Sequence, residues 1–169
     1  YRAGRYHAGF GVHIGVQDPP LGGKSWGNNE SYLLWLNLDT RQSTRRNASE
    51  HYGFRAQVYE SDSHVAMDLY RSGQMRRMFG DPVASIDLVE ALEANGIDVS
   101  MSDIGPYLER DIPISIRVNT NTGEIGVKDP TAPIRFYFNV DTDKLDGDYV
   151  SLRTNSLAAS FDDFTVTRR

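Results

Sequence analysis

Short runs in which apolar and polar residues alternate with period two, cut apart by Gly, Pro, Asn and Asp, constrain this chain more than any other feature. A strand turns successive side chains to opposite faces, so such runs read as half-buried strands, and many of them with turn residues between read as a sandwich or barrel. Phe10, Val12, Ile14 and Val16 alternate with Gly11, His13 and Gly15. Tyr32, Leu34, Leu36 and Leu38 alternate with Leu33, Trp35 and Asn37; Phe54, Ala56 and Val58 alternate with Arg55, Gln57 and Tyr59. A fourth run follows in Val65, Met67 and Leu69, and these four are expected to form a meander. The pattern resumes with Ile112, Ile114, Ile116 and Val118, then Ile125 and Val127, then Ile134, Phe136, Phe138 and Val140, then Val150 and Leu152. The last run, residues 160–167, keeps Phe161 and Phe164 three apart, which a β-bulge at Asp162 and Asp163 would reconcile with a single buried face.

Between the two groups of strands the period changes. Asp81 with Pro82 suits a helix start, Val83, Ile86, Val89 and Leu92 share a helical face, and Asn95-Gly96 suits a stop. The reading is therefore all-β, two antiparallel sheets packed as a sandwich, with a short helical insertion around residues 82–109. A helix there has an acidic side at Asp87, Glu90 and Glu93, and its expected role is to cover a sheet edge. A second short turn is expected between Ser102 and Glu109, bounded by Gly105-Pro106. At 169 residues the chain fits one domain spanning 1–169, because halves of that length would each lack core.

Composition narrows the function classes. A formal charge of -5 argues against a nucleic-acid surface, and Arg41, Arg45 and Arg46 lie among turn residues as a solvated loop. No apolar run is long enough for a membrane span; the longest, residues 33–38, is strand-sized. The chain has no cysteine, which removes thiol catalysis. His7, His13, His51 and His64 show no zinc-ligand spacing. Asn29-Glu30-Ser31 and Asn47-Ala48-Ser49 match the glycosylation triplet, and the start at Tyr1 is expected of a processed protein or a piece of a longer one.

Four motifs in the closing part of the chain resemble concanavalin-like glucanase and lectin domains. They are Ile114-Ser115-Ile116-Arg117-Val118-Asn119, Thr122-Gly123-Glu124-Ile125, Gly147-Asp148-Tyr149-Val150-Ser151-Leu152-Arg153-Thr154 and Phe161-Asp162-Asp163-Phe164-Thr165-Val166. The resemblance implies a concanavalin-like jelly-roll fold, a secreted or cell-surface location, a carbohydrate ligand, and a structural calcium held by Asp162 or Asp163. A second similarity links Gly53-Phe54-Arg55-Ala56-Gln57-Val58-Tyr59 to a strand of jelly-roll alginate lyases, and it implies a catalytic role for Tyr59. Val12-His13 is similar to another strand of those enzymes, although Gly11 stands where they carry glutamine.

If the apolar residues face the core, the other face of the first four strands collects His13, Trp35, Asn37, Arg55, Gln57, Tyr59, His64, Asp68 and Tyr70. Aromatic rings stack on sugar rings, and planar amides, Arg and His make the paired hydrogen bonds that hydroxyl-rich ligands need. A solvated outer face of an antiparallel sheet carries the same residue types. The leading expectation is an extracellular polysaccharide- or oligosaccharide-binding domain. The alternative is a polysaccharide lyase on a uronate polymer, with Arg55 and Gln57 on the carboxylate and Tyr59 or His13 moving the proton. Hydrolysis needs two carboxylates at a set separation; Glu60, Asp62 and Asp68 are present, but not the Glu-x-Asp-x-x-Glu pattern of related glucanases. A third class is a structural or adhesive surface subunit that associates with copies of itself. Asp141, Asp143, Asp146 and Asp148 resemble a calcium loop and form the second candidate metal site, beside the plain reading of an Asp-rich turn.

Overall fold

The computed structural model describes residues 9–17, 31–39, 53–61, 83–96, 111–131, 135–155 and 159–168. Eight strands are found among them. β1 is Gly9–Val16, β2 is Ser31–Asp39, β3 is Gly53–Ser61 and β4 is Ala84–Asp87. Helix α1, Leu88–Ala94, follows directly. β5 is Ser115–Asn119, β6 is Glu124–Lys128, β7 is Arg135–Asn139 and β8 is Tyr149–Asn155, with a 3-10 turn at Thr142–Lys144 between the last two.

The strands form two antiparallel sheets, one of five strands in the order β4-β3-β2-β1-β8 and one of three in the order β5-β6-β7. The expected all-β, two-sheet architecture is thus present. Register explains how the sheets meet. Val12 pairs with Leu34, Leu34 with Val58, Leu36 with Ala56 and Ala56 with Ile86, so one face of the larger sheet is a continuous apolar surface. Ile125 and Val127 of β6 with Phe136 and Phe138 of β7 make the matching face of the smaller sheet, and both faces belong to one hydrophobic core. Phe136 and Phe138 meet edge to face at 5.7 Å.

The helical insertion differs from expectation at its start. Residues 84–87 are a strand, and α1 begins only at Leu88, with Asp87 rather than Asp81 as its N-cap. The exposed edge of β3 decides this. Val58 accepts a hydrogen bond from the Val83 amide at 2.8 Å, and four paired positions follow, which satisfies strand-edge groups that a helix would leave open. Ala84 and Ile86 then face the core as alternate strand residues, Leu88 and Leu92 are the buried helix residues, and Val83 stays exposed. The stop at Asn95-Gly96 is as expected: the amides of Asn95 and Gly96 close the last turn on Leu92 and Glu93 carbonyls. Asp81 and Pro82, the expected strand at residues 64–70 and the expected turn at residues 102–109 lie outside the described residues.

A second difference is at the C-terminus, where residues 159–168 are extended chain without strand pairing and are exposed throughout. Asp163 carries a φ of 50°, a left-handed conformation that interrupts extended backbone at the position where a bulge was expected. Among the described residues, no helix is long and apolar enough to cross a membrane.

Candidate functional site

The outer face of the five-stranded sheet follows from the same register read at the opposite parity. One cross-strand row runs Ser151, His13, Leu33 and Tyr59; the next runs Arg153, Gly11, Trp35, Gln57 and Ser85; the third runs Asn155, Gly9, Asn37, Arg55 and Asp87. The structure therefore brings six of the expected residues, His13, Trp35, Asn37, Arg55, Gln57 and Tyr59, to one face. Backbone alone places Asn37, Arg55, Gln57 and Tyr59 there, and His64, Asp68 and Tyr70 lie outside the described residues. Sequence reasoning missed Ser151, Arg153 and Asn155, because nothing local shows that β8 pairs with β1, 140 residues away at the Arg153 to His13 contact. Their odd parity against the apolar Leu152, which pairs with Val12, was the available signal.

The centre of this face is buried. Trp35 and Leu33 have no exposed surface and His13 keeps 1%. Trp35 is seated by two glycines: a β-carbon at Gly11 would stand 2.9 Å from indole Cε3, and one at Gly9 would stand 2.9 Å from Cζ2. The indole thus lies across a strand stripped of side chains, a packing device for a large aromatic on a sheet. In this position Trp35 organises the face and offers no open ring for stacking.

His13 sits beside it. Arg153 Nη1 stands 3.4 Å from His13 Nε2, and Ser31 Oγ stands 3.3 Å from Nδ1. A guanidinium only donates, so Nε2 accepts and Nδ1 carries the proton toward Ser31. Burial, reinforced by the Arg153 charge, pulls the imidazole down to about 3, which keeps it neutral across the physiological range. Burial also lowers Arg153 to about 10, so it remains a cation. The result is a half-buried cation held in place by a neutral imidazole, flanked by Ser151 in the neighbouring row. Such a group donates forked hydrogen bonds to hydroxyl, carboxylate or sulfate oxygens.

The Asp-rich loop docks on one end of the same sheet, on its core side. Leu145 is buried in the core, and the loop closes on β1 where the β1 to β8 register shifts between His13 and Val16. Gly15 makes that approach workable, with a φ of 73° and the Lys144 carbonyl packed where a side chain would begin. Three of the loop's four carboxylates are engaged by separate donors. Tyr32 donates to Asp143 at 3.4 Å, Gln17 to Asp146 at 2.8 Å and Arg168 to Asp148 at 2.7 Å, while Lys144 pairs with Glu60 at 2.6 Å. Asp141 precedes the 3-10 turn and makes no side-chain cap bond. At the other candidate metal position, Asp162 accepts the Asp163 amide at 2.8 Å and both residues are exposed. Among the described residues, no three acidic or histidine side chains come together in a metal-holding group.

Comparison of the chain with protein-family models, with curated proteins and with solved structures found no match.

Proposed function

We propose that this chain is an extracellular carbohydrate-binding β-sandwich of the concanavalin-like jelly-roll type, and that its ligand face is the outer face of the five-stranded sheet. The observation that carries the reading is the asymmetry of that sheet. One face is mainly apolar and faces the smaller sheet; the other assembles, from β1, β2, β3, β4 and β8, amides, two arginine positions, a tyrosine position and hydroxyls in three cross-strand rows. That is the donor and acceptor inventory by which hydroxyl-rich ligands are held. Trp35 and His13 serve as the buried platform, and Arg153, Ser151 and positions 37, 55, 57 and 59 serve as the contact groups.

A polysaccharide-binding screen with and without calcium tests this, with Arg153→Ala beside the parent chain. Binding that weakens about tenfold or more in Arg153→Ala, as loss of a charge-assisted contact predicts, supports the reading. Silence toward all neutral and acidic polysaccharides at millimolar concentration ends it.

A lyase acting on a uronate polymer is the second reading, favoured by one observation: the register sets the Tyr59, Gln57 and Arg55 positions in three successive rows of one face, a proton carrier beside carboxylate-binding groups, with buried His13 left a supporting role. Unsaturated product absorbing in the ultraviolet, lost in Tyr59→Phe, would make it the better account. Calcium enters the proposal only as a stabiliser. It takes six to eight oxygen ligands, whereas Asp162 and Asp163 bring two carboxylates, so no step is routed through it. A rise in Tm on adding calcium, absent in Asp162→Ala, is the result expected if it binds there.

A further inference from the structure

The outer face of the three-stranded sheet is made by the residues that alternate with the core positions of β5, β6 and β7. Three cross-strand rows cover it: Ser115, Lys128 and Arg135; then Arg117, Gly126 and Tyr137; then Asn119, Glu124 and Asn139. Gly126 leaves the centre of the face bare, and the tyrosine ring uses that space. A β-carbon at Gly126 would stand 3.1 Å from Tyr137 Cε1 and 3.2 Å from Cδ1, so one edge of the ring packs over the β6 backbone. The residue is nevertheless 56% exposed. Glycines seat Trp35 in the same way, but that indole has no exposed surface. A ring fixed along one edge and otherwise open offers a face for stacking.

Charge surrounds this ring unevenly. Arg117 shares its row on the far side of Gly126, and Lys128 and Arg135 stand in the next row, roughly 7 Å along the strands. All three cations are exposed. Among the described residues, no carboxylate pairs with any of them. Glu124 stands in the row on the opposite side of Tyr137, beside Asn139. On a chain of formal charge -5, three cations gathered to one side of an open aromatic ring reverse the sign locally.

We propose that the outer face of the three-stranded sheet, centred on Tyr137, is a second glycan site, selective for acidic polysaccharides of the polyuronate kind. An acidic sugar unit matches both parts of the surface: its C–H face stacks on the tyrosine, and its carboxylate reaches the guanidinium and ammonium groups alongside. A nucleic-acid strand would need successive platforms along a cationic groove, whereas this face has one ring and turns acidic within a row. A protein partner would need an apolar centre to bury, and a single tyrosine among charges does not supply one. The site lies on the opposite side of the sandwich from the outer face of the five-stranded sheet, because the inner faces of the two sheets share one core. The class of polymer rests on the carbohydrate reading above; the surface does not.

Titration with polygalacturonate, followed through backbone amide resonances, reads the site directly. The Gly126 and Arg117 amides are expected to shift with this polymer and to stay in place with its carboxyl-reduced form. Tyr137→Ala should weaken binding about tenfold while Tyr137→Phe retains it, as stacking predicts. Arg117→Gln/Arg135→Gln should weaken binding and flatten its salt dependence. Arg153→Ala separates the two faces. Binding that survives in Arg153→Ala and is lost in Tyr137→Ala supports this site; loss in Arg153→Ala with none in Tyr137→Ala overturns it and leaves the other face standing. Equal affinity for the carboxyl-reduced polymer, tighter binding of an oligodeoxythymidylate, or β5, β6 and β7 amides that do not move also overturn it.

Discussion

At His13 the environment of a single side chain can be turned into a prediction. The folded state holds the imidazole at about 3 through burial and the Arg153 charge, against an ordinary value of 6.5. The unfolded chain therefore takes up a proton first as pH falls. The contribution is fully present above about pH 6.5 and is lost progressively toward pH 3, with a slope of at most about 1.4 kcal/mol per pH unit. His13→Gln, which keeps a hydrogen-bonding side chain without the titration, is expected to flatten that acid limb in denaturant melts recorded between pH 4 and 7. Tyr32 works in the opposite range. Burial first, then the charges of Asp143, Glu60 and Asp141 and its bond to Asp143, raise the phenol to about 12. Its share of stability is present below pH 10 and is lost as pH climbs from 10 to 12. Spectrophotometric titration should show one tyrosine ionising late, and Tyr32→Phe should remove that component.

At the level of elements, two short pieces of chain illustrate how side chains settle what backbone pattern leaves open. Asp87 ends β4 and begins α1; its carboxylate accepts the Val89 amide at 3.0 Å and the Glu90 amide at 3.4 Å. Asp87→Ala is expected to cost about 1 kcal/mol, read as a lower denaturant midpoint with an unchanged m-value. On β1, the pairing of bare glycines with the Trp35 indole means that even one methyl is too much. Gly11→Ala would press a carbon onto the ring and onto the Leu34 carbonyl, and a loss of about 1–3 kcal/mol is expected from overpacking. A change in Trp35 fluorescence should accompany it, separating ring displacement from a general loss of strand stability.

For the molecule as a whole, the sandwich depends on a few residues that reach across it. Leu145 carries the Asp-rich loop into the shared core, so Leu145→Ala is expected to cost about 2–5 kcal/mol and to loosen the loop, checked by equilibrium unfolding. Much of this architecture was legible beforehand. The alternation of residues 10–16, 32–38 and 54–59 determined β1, β2 and β3 and the parity of their faces, because which way a strand residue points depends only on its neighbours in the chain. The same parity named six residues of the candidate face. What tertiary structure alone decided was partnership. Residues 84–87 have helical spacing, yet the edge of β3 drew them into a strand; residues 160–167 have strand-like composition, yet are extended chain without strand pairing. Likewise Trp35 and His13 became buried supports, and Arg153 joined them from the far end of the chain. Pairing and burial are long-range quantities, set by which edges and faces meet, and a period of two carries no information about its partner.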